Sequence, residues 1–268
     1  MAFETHERDG LVFLTSSLLP VPHAFSTRLG GVSPAPWDSL NLGANRGDSP
    51  ANVRENFFRF CTAVGADGNA LVKNHQVHSC TVRSATRSDI LSDPSEPGTF
   101  EADGLVTGDP GICLAVFSGD CIPILLYDPV NRVIAAAHAG WRGTAGGIAG
   151  CAVQAMVSQY GCRPEHILAA VGPGISFCCF ETHADVPDAL QAGLGAEARP
   201  FIRPLPGTEK FTVDLKGANA RWLELAGVTR EHIAVCSACT ACSLDTFWSH
   251  RVQGNARGSM AAVIQLTP

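Results

Sequence analysis

Cys121 and His138 stand near the two ends of the stretch Gly119–Thr144, GDCIPILLYDPVNRVIAAAHAGWRGT. A thiolate and an imidazole held together either share a soft metal ion or form a nucleophile–base pair. The residues between them say how they could meet. Two apolar runs flank Asp128-Pro129-Val130-Asn131, and Asp followed by Pro is turn-forming, so the segment reads as a β-hairpin. If Asp128 pairs with Asn131, Cys121 falls opposite His138. The two side chains then share a face, with Cβ atoms roughly 5 Å apart. Pro123 cannot donate to a ladder, so regular pairing is expected only after it.

Asn74-His75-Gln76-Val77-His78 offers a third ligand. Read as strand, His75 and His78 point to opposite faces while Gln76 shares the face of His78, so one histidine joins the site. A His/Cys/His set with one open position is the pattern of a catalytic zinc. After the hairpin, Gly140-Trp141-Arg142-Gly143-Thr144 opens a helix. Free N–H groups there, with Arg142, could hold an anion; a tight turn that simply needs glycine explains the residues equally well. Arg28, Arg251 and Arg257 could each pair bidentately with a phosphate or lie on the open surface. Cys236, Cys239 and Cys242 have the spacing of a metal or cluster run, whereas Cys178-Cys179 reads as core and loop.

Composition bounds these readings. The 268 residues are 46% apolar, enough for a real core and against disorder. A net charge of −6 argues against a nucleic-acid polymer as partner, though not against a nucleoside. No run approaches the roughly 18 apolar residues of a membrane span. The charged start MAFETHERDG does not read as a signal peptide, and the 11 cysteines suit reduced thiols in a cytoplasm.

The elements that must position these residues are short. Strands are expected at 11–14, 24–28, 71–85, 112–117, 167–171, 233–236 and 261–266. The long Gly/Pro/Asn-rich stretch 29–50 reads as an ordered functional loop. Ser49-Pro50 starts a helix with an apolar stripe of Val53, Phe57, Cys61 and Val64. Further helices are expected over 144–159, and from an Asp214 cap to Ala226 with a face of Leu215, Ala218, Trp222 and Leu225. Strands and helices mix without βαβ alternation, which predicts an α+β, single-domain αβ sandwich with a mixed β-sheet.

Several motifs occur in order along nearly the whole chain: Phe25–Ser33 (FSTRLGGVS), Gln76-Val-His78, Ala102-Asp-Gly104, Asp120-Cys-Ile-Pro123, His138-Ala-Gly-Trp-Arg-Gly143, Gly172-Pro-Gly-Ile175, Asp214-Leu215 with Asn219, Cys239-Thr240 and Ser249-His-Arg251. On these the chain resembles the YfiH-like, or laccase-domain, family. The resemblance implies one catalytic domain over residues 1–268 with a cysteine-hydrolase-type fold. It implies a zinc held by His78, Cys121 and His138, although thiolate and imidazole would also accept copper. It further implies a nucleoside and phosphate as substrates, with Arg28, Gln76, Asp120, Arg142 and Gly143 as candidates to bind them. The implied chemistry is phosphorolysis of inosine, adenosine and methylthioadenosine, and deamination of adenosine. Alternatives are a Cys–His amidase editing UDP-MurNAc-amino-acid precursors of peptidoglycan, and a copper polyphenol oxidase. The chain departs from the family at Gly119, where Ala is common, and at Ala256-Arg257-Gly258, where Gly-Arg is usual.

Overall fold

Along the central hairpin, alternate residues enter two different cores, as a period of two requires of a strand buried on both faces. The computed structural model describes residues 3–267. Its strands and helices run β1 (Phe3–Arg8), β2 (Leu11–Ser16), β3 (His23–Ser26), α1 (Pro50–Val64), β4 (Leu71–Lys73), β5 (Val82–Ser84), β6 (Gly104–Thr107), β7 (Cys113–Ser118), β8 (Ile122–Asp128) and β9 (Val133–Ala139). After the hairpin come α2 (Trp141–Ala145), α3 (Ile148–Tyr160), β10 (Leu168–Val171), β11 (Glu181–Thr182), α4 (Asp185–Leu194), β12 (Ile202–Pro204), β13 (Phe211–Val213), α5 (Leu215–Leu225), β14 (Ile233–Val235), α6 (His250–Gln253) and β15 (Met260–Gln265).

Two six-stranded sheets, β1-β2-β3-β15-β7-β4 and β14-β10-β8-β9-β6-β5, lie face to face, with a small β11-β13-β12 sheet beside them. Leu125, Tyr127, Ile134 and Ala136 of the hairpin meet Leu114, Val116, Ala262 and Ile264 of the other sheet. Ile122, Ile124, Leu126, Ala135 and Ala137 face the opposite way, against Ile148, Ala152 and Met156 of α3 and Leu215 and Ala218 of α5. Helix α1 covers the far side with Val53, Phe57, Phe60 and Cys61. The result is a helix–sheet–sheet–helix sandwich whose sheets mix parallel and antiparallel pairs, the expected α+β class.

Four local expectations change. The hairpin register sets Pro123, not Cys121, opposite His138. The connection runs from Asp128 to Val133, with Asp128 Oδ1 accepting from the N–H groups of Val130 (2.8 Å) and Asn131 (3.2 Å) and Arg132 at φ 54°. Pro123 pairs within the ladder, and its carbonyl accepts from Gly172 N–H on the neighbouring strand's side. The register moves by two residues, so parity survives: Cys121 shares the face of Pro123 and therefore of His138. Second, 71–85 is not one strand. It leaves one sheet as β4 and enters the other as β5, with an irregular loop carrying His78 at φ 63° between them. Third, Gly146 and Gly147 split the helix expected over 144–159 into α2 and α3. Fourth, Leu225 is exposed on α5, and Leu223 takes the buried place.

Candidate active site

Cys121, His138 and His78 converge at one edge of the sandwich, where the hairpin's inner face opens between the sheets. Their three ligand atoms all lie within 4.8 Å of one another, and the two imidazole rings meet edge-on at 4.9 Å. His75 lies outside this group, bridged to Glu101, so a single histidine of the 74–78 segment joins it.

Asp103 builds the centre from behind. It is fully buried, and its carboxylate accepts from the backbone N–H groups of Val77 (3.2 Å), His78 (3.0 Å) and Ser79 (2.6 Å). Oδ1 also lies 2.8 Å from His138 Nδ1. The loop that replaces the expected strand is therefore wrapped around a carboxylate rather than paired in a ladder. The same carboxylate occupies Nδ1 of His138 and leaves Nε2 as that ring's free nitrogen, the usual way a ligating histidine is oriented. Burial raises the Asp103 carboxyl, but the hydrogen bonds from His138 and Ser79 outweigh it and hold the pKa down to about 2. Burial would lower His138; the Cys121 thiolate and Asp103 overcome that and push it up to about 9. His78 goes the other way, lowered by burial and by the neighbouring His138 charge.

Gly140 explains why glycine opens the turn after the hairpin. A Cβ there would overlap His78 Nδ1 and lie 3.3 Å from Cys121 Sγ. The space between the three ligands thus exists only because position 140 carries no side chain. Two imidazoles and a thiolate that converge on such a space, with no fourth protein ligand in the group, suit a soft divalent ion with an open coordination position.

The centre lines a cleft of ≈ 660 Å³, a size that suits a small organic substrate. Cationic groups line it beside the centre. Arg257, only 5% exposed, lies flat over Gly119, so that a Cβ at 119 would overlap its guanidinium. Its Nε has no partner, and burial, with Arg46 nearby, pulls its pKa down to about 10. Arg46 shares the cleft and donates from Nε to Ser259 Oγ at 3.1 Å. The glycine at 119, where Ala is common in the family, leaves the room that the Arg257 guanidinium fills. Lys73 also lines the cleft, lowered to about 8 by burial.

The remaining expected residues divide. Asp120 lines the cleft at φ 99°, but its carboxylate is taken up by Thr240 Oγ1 (2.6 Å), Ser249 Oγ (3.1 Å) and Arg251 N–H (2.6 Å). It fixes the backbone that presents Cys121. Gln76 also lines the cleft, with its amide closed onto Phe117 N and O at 2.7 and 2.9 Å. Arg28 stands outside the lining: it donates to Asp38 and Leu244 carbonyls and lies 3.8 Å over Trp248. Arg142 stacks on Trp141 and is exposed, while Gly143 is buried against Ser79, so neither lines the cleft. The loop amides of Gly172 and Ile175 are committed to the carbonyls of Pro123 and Asp120. Sequence reading missed the roles of Asp103 and Arg46. Asp103 carried a signal in the Ala102-Asp-Gly104 motif, and Arg46 sits in the long loop already read as functional.

Comparison with known proteins fits this geometry. The profile of the family described as multi-copper polyphenol oxidoreductase laccase matches residues 22–267. The chain belongs to this laccase-domain, YfiH-like family. Among relatives of this family, a purine nucleoside phosphorylase of Deinococcus radiodurans is 41% identical over 96% of the chain and 94% of its own length. The crystal structure of YlmD from Geobacillus stearothermophilus superposes with a TM-score of 0.92 at 32% identity, covering 100% of this chain and 99% of that one. That of Bacillus licheniformis YfiH gives 0.90 at 30% identity, covering 98% and 99%.

Proposed function

We propose that this YfiH-like chain is a metal-dependent purine nucleoside phosphorylase, acting as one catalytic domain over residues 1–268. The observation that carries this reading is one cleft holding both the His78–Cys121–His138 group and a buried guanidinium, Arg257, with an unpartnered Nε. The printed names of the relatives support it.

In phosphorolysis a phosphate oxygen bonds to C1′ as the C1′–N9 bond breaks, and the departing base takes up a proton. Arg257 and Arg46 supply planar guanidinium donors, charged at neutral pH, that suit phosphate and hold it near Cys121. Trp141 and Phe180 supply apolar walls for a purine. Asp120 holds the backbone under Cys121, and Asp103 fixes the His138 ring. Zinc bound by His78, Cys121 and His138 would supply a Lewis acid. Holding reactants in one closed geometry is itself worth several kcal/mol of barrier, on the order of 7 or more. Inosine, adenosine and methylthioadenosine are the substrates to test, with adenosine deamination as a second activity in the same purine pocket. A reducing, cytoplasmic setting is supported by the eleven cysteines, none of them paired in a disulfide. Among the described residues no helix is long and apolar enough to cross a membrane. The family description invokes several coppers. Among the described residues only one candidate metal group contains histidine, so zinc at a single centre is the better match to the donors.

The test is metal analysis of protein purified without added metal, beside an inosine cleavage assay with and without phosphate. Ribose 1-phosphate formed only with phosphate, by zinc-containing protein, supports the reading; cleavage independent of phosphate defeats it.

A second reading rests on the chain Cys121, His138, Asp103, the thiol–imidazole–carboxylate order of a nucleophilic amidase. It would suit trimming of peptidoglycan precursors. The committed amides of Gly172 and Ile175 leave it without the oxyanion donors expected from that loop. Amide hydrolysis by metal-free protein, blocked by alkylation of Cys121, is the result that would favour it.

A further inference from the structure

Away from the cleft's open centre, four more cysteines meet. Cys178 and Cys179 lie in a turn after β10, and Cys239 and Cys242 in the loop after β14. All four Sγ atoms fall within 4.8 Å of one another. The separations Cys178–Cys179 (3.6 Å), Cys178–Cys242 (3.6 Å) and Cys179–Cys242 (3.3 Å) are the closest. A tetrahedral ion with sulfur at about 2.3 Å needs S···S edges of about 3.8 Å. An iron–sulfur cluster needs room for several irons and sulfides between the thiolates, and the space here admits one ion.

The surroundings suit a negatively charged tetrathiolate. Ser176 N–H donates to Cys239 Sγ at 3.3 Å. Lys216 is buried, and its Nζ donates to Ser176 Oγ (2.8 Å), Cys236 O (3.0 Å) and Ala238 O (2.6 Å), placing a cation beside the thiols. Arg251 donates to Cys179 O at 3.2 Å. An ion of this kind, closed by four protein sulfurs, has no position left for a substrate and acts as a brace.

We propose that Cys178, Cys179, Cys239 and Cys242 form a closed tetrathiolate site for one structural zinc ion, distinct from the open His78–Cys121–His138 centre. The brace ties the loop after β10, whose Ile175 and Phe180 line the cleft, to the loop after β14. Gly174 and Cys239 are bridged, and Thr240, between two of the ligands, donates to Asp120 Oδ1 at 2.6 Å. Asp120 sits at φ 99° directly before Cys121. Fixing Cys239 and Cys242 therefore fixes Thr240, and through it the backbone that presents Cys121. Cys236, which the sequence spacing grouped with these thiols, is buried apart from them.

The experiment counts zinc in full-length protein purified under reducing conditions without added metal. The Cys121→Ala/His138→Ala double variant, which strips the open centre, is expected to keep one equivalent. X-ray absorption at the zinc edge of that variant is expected to show a sulfur-only shell at about 2.3 Å. Cys239→Ser/Cys242→Ser is expected to lose one of the wild type's two equivalents. Since that variant could misfold, peptide-resolved alkylation of the wild type provides an independent readout. Cys178, Cys179, Cys239 and Cys242 are expected to be protected until a chelator is added. Zinc-free Cys121→Ala/His138→Ala protein overturns the proposal. So does a shell containing nitrogen, or a disulfide among the four cysteines in the intact mass.

Discussion

The molecule holds two groups of converging soft donors, and they differ in how they are closed. His78, Cys121 and His138 meet with one side left open, because Gly140 carries no Cβ and the cleft begins there. The four thiols of Cys178, Cys179, Cys239 and Cys242 lie within 4.8 Å of one another and offer a full set of four ligands to one ion. The supports differ too. The open group is oriented by a buried carboxylate, Asp103, which fixes an imidazole tautomer. The closed group is flanked by a buried ammonium, Lys216, which offsets thiolate charge. An incomplete set suits chemistry and a complete set suits folding. The difference teaches that donor count and the charge of the outer partner, not the presence of cysteine, separate a reactive centre from a brace.

The comparison breaks most sharply on ligand removal. Cys121→Ala or His138→Ala is expected to lower kcat/KM for inosine phosphorolysis by at least about 10³-fold, the scale of losing a principal electrostatic stabiliser. The melting temperature should fall much less than it does on removing Cys239 and Cys242. Circular-dichroism melts and steady-state assays on the same preparations check both halves. Equal effects of the two substitutions on activity and melting would erase the distinction.

The second effect is a pH dependence confined to the open group. In metal-free protein His138 titrates near 9, above the ordinary 6.5. The folded state therefore holds this proton more tightly than the unfolded chain. The stabilisation is complete below pH 6.5 and is lost as pH rises through about 9. It amounts to roughly 3 kcal/mol, an order of magnitude set by the shift. Asp103, held at about 2, reports the same contact from the other side, so the two are not added. Urea melts of chelator-treated protein should lose stability across that window, and His138→Gln should flatten the change. Ligated imidazoles and a ligated thiolate carry no extra proton, so metal-loaded protein should not lose stability across that window; its stability should rise with pH as the unfolded chain sheds the protons that its ligands must give up.

How much of this was legible beforehand follows from distance along the chain. Cys121 and His138 were found from one hairpin. Their shared face survived the wrong register because strand parity tolerates a shift of two residues. His78 was named by family resemblance, while the strand geometry offered for it failed. The segment around it bonds to a carboxylate instead of a neighbouring strand, and no periodicity announces that. Cys178-Cys179 passed for core and loop, since their partners Cys239 and Cys242 belong to another connection and only the β10–β14 pairing brings the two loops together. Sheet order carried that information, and local pattern does not contain it.

Asp103→Asn sharpens the comparison from the outer partner. An amide cannot accept as strongly from three backbone N–H groups and an imidazole together. Zinc affinity at the open centre should weaken by about 10–100-fold, the usual cost of losing an orienting partner. Competition with a fluorescent chelator, comparing protein with and without Asp103→Asn in the same Cys239→Ser/Cys242→Ser background, reads that centre alone. Unchanged affinity would mean that the loop, not the carboxylate, orients His138 and His78.

The smallest effect concerns the cationic lining of the cleft. Arg257 lies over Gly119 with its Nε unpartnered, and the phosphate reading rests on that guanidinium. Arg257→Met should raise KM for phosphate about tenfold, about 1.4 kcal/mol, while KM for inosine stays within about twofold. Arg257→Lys restores charge without the planar fork and should recover only part of the loss, because a point charge does not reproduce bidentate pairing. Gly119→Ala offers the same disturbance without removing the arginine. Its Cβ overlaps the guanidinium, so the side chain must swing away from Cys121. If Gly119→Ala raises KM for phosphate as Arg257→Met does, the position of the guanidinium matters beyond its charge. If Arg257→Met raises KM for inosine instead, the arginine holds the nucleoside, and phosphate must be bound by Arg46 and Lys73 across the cleft.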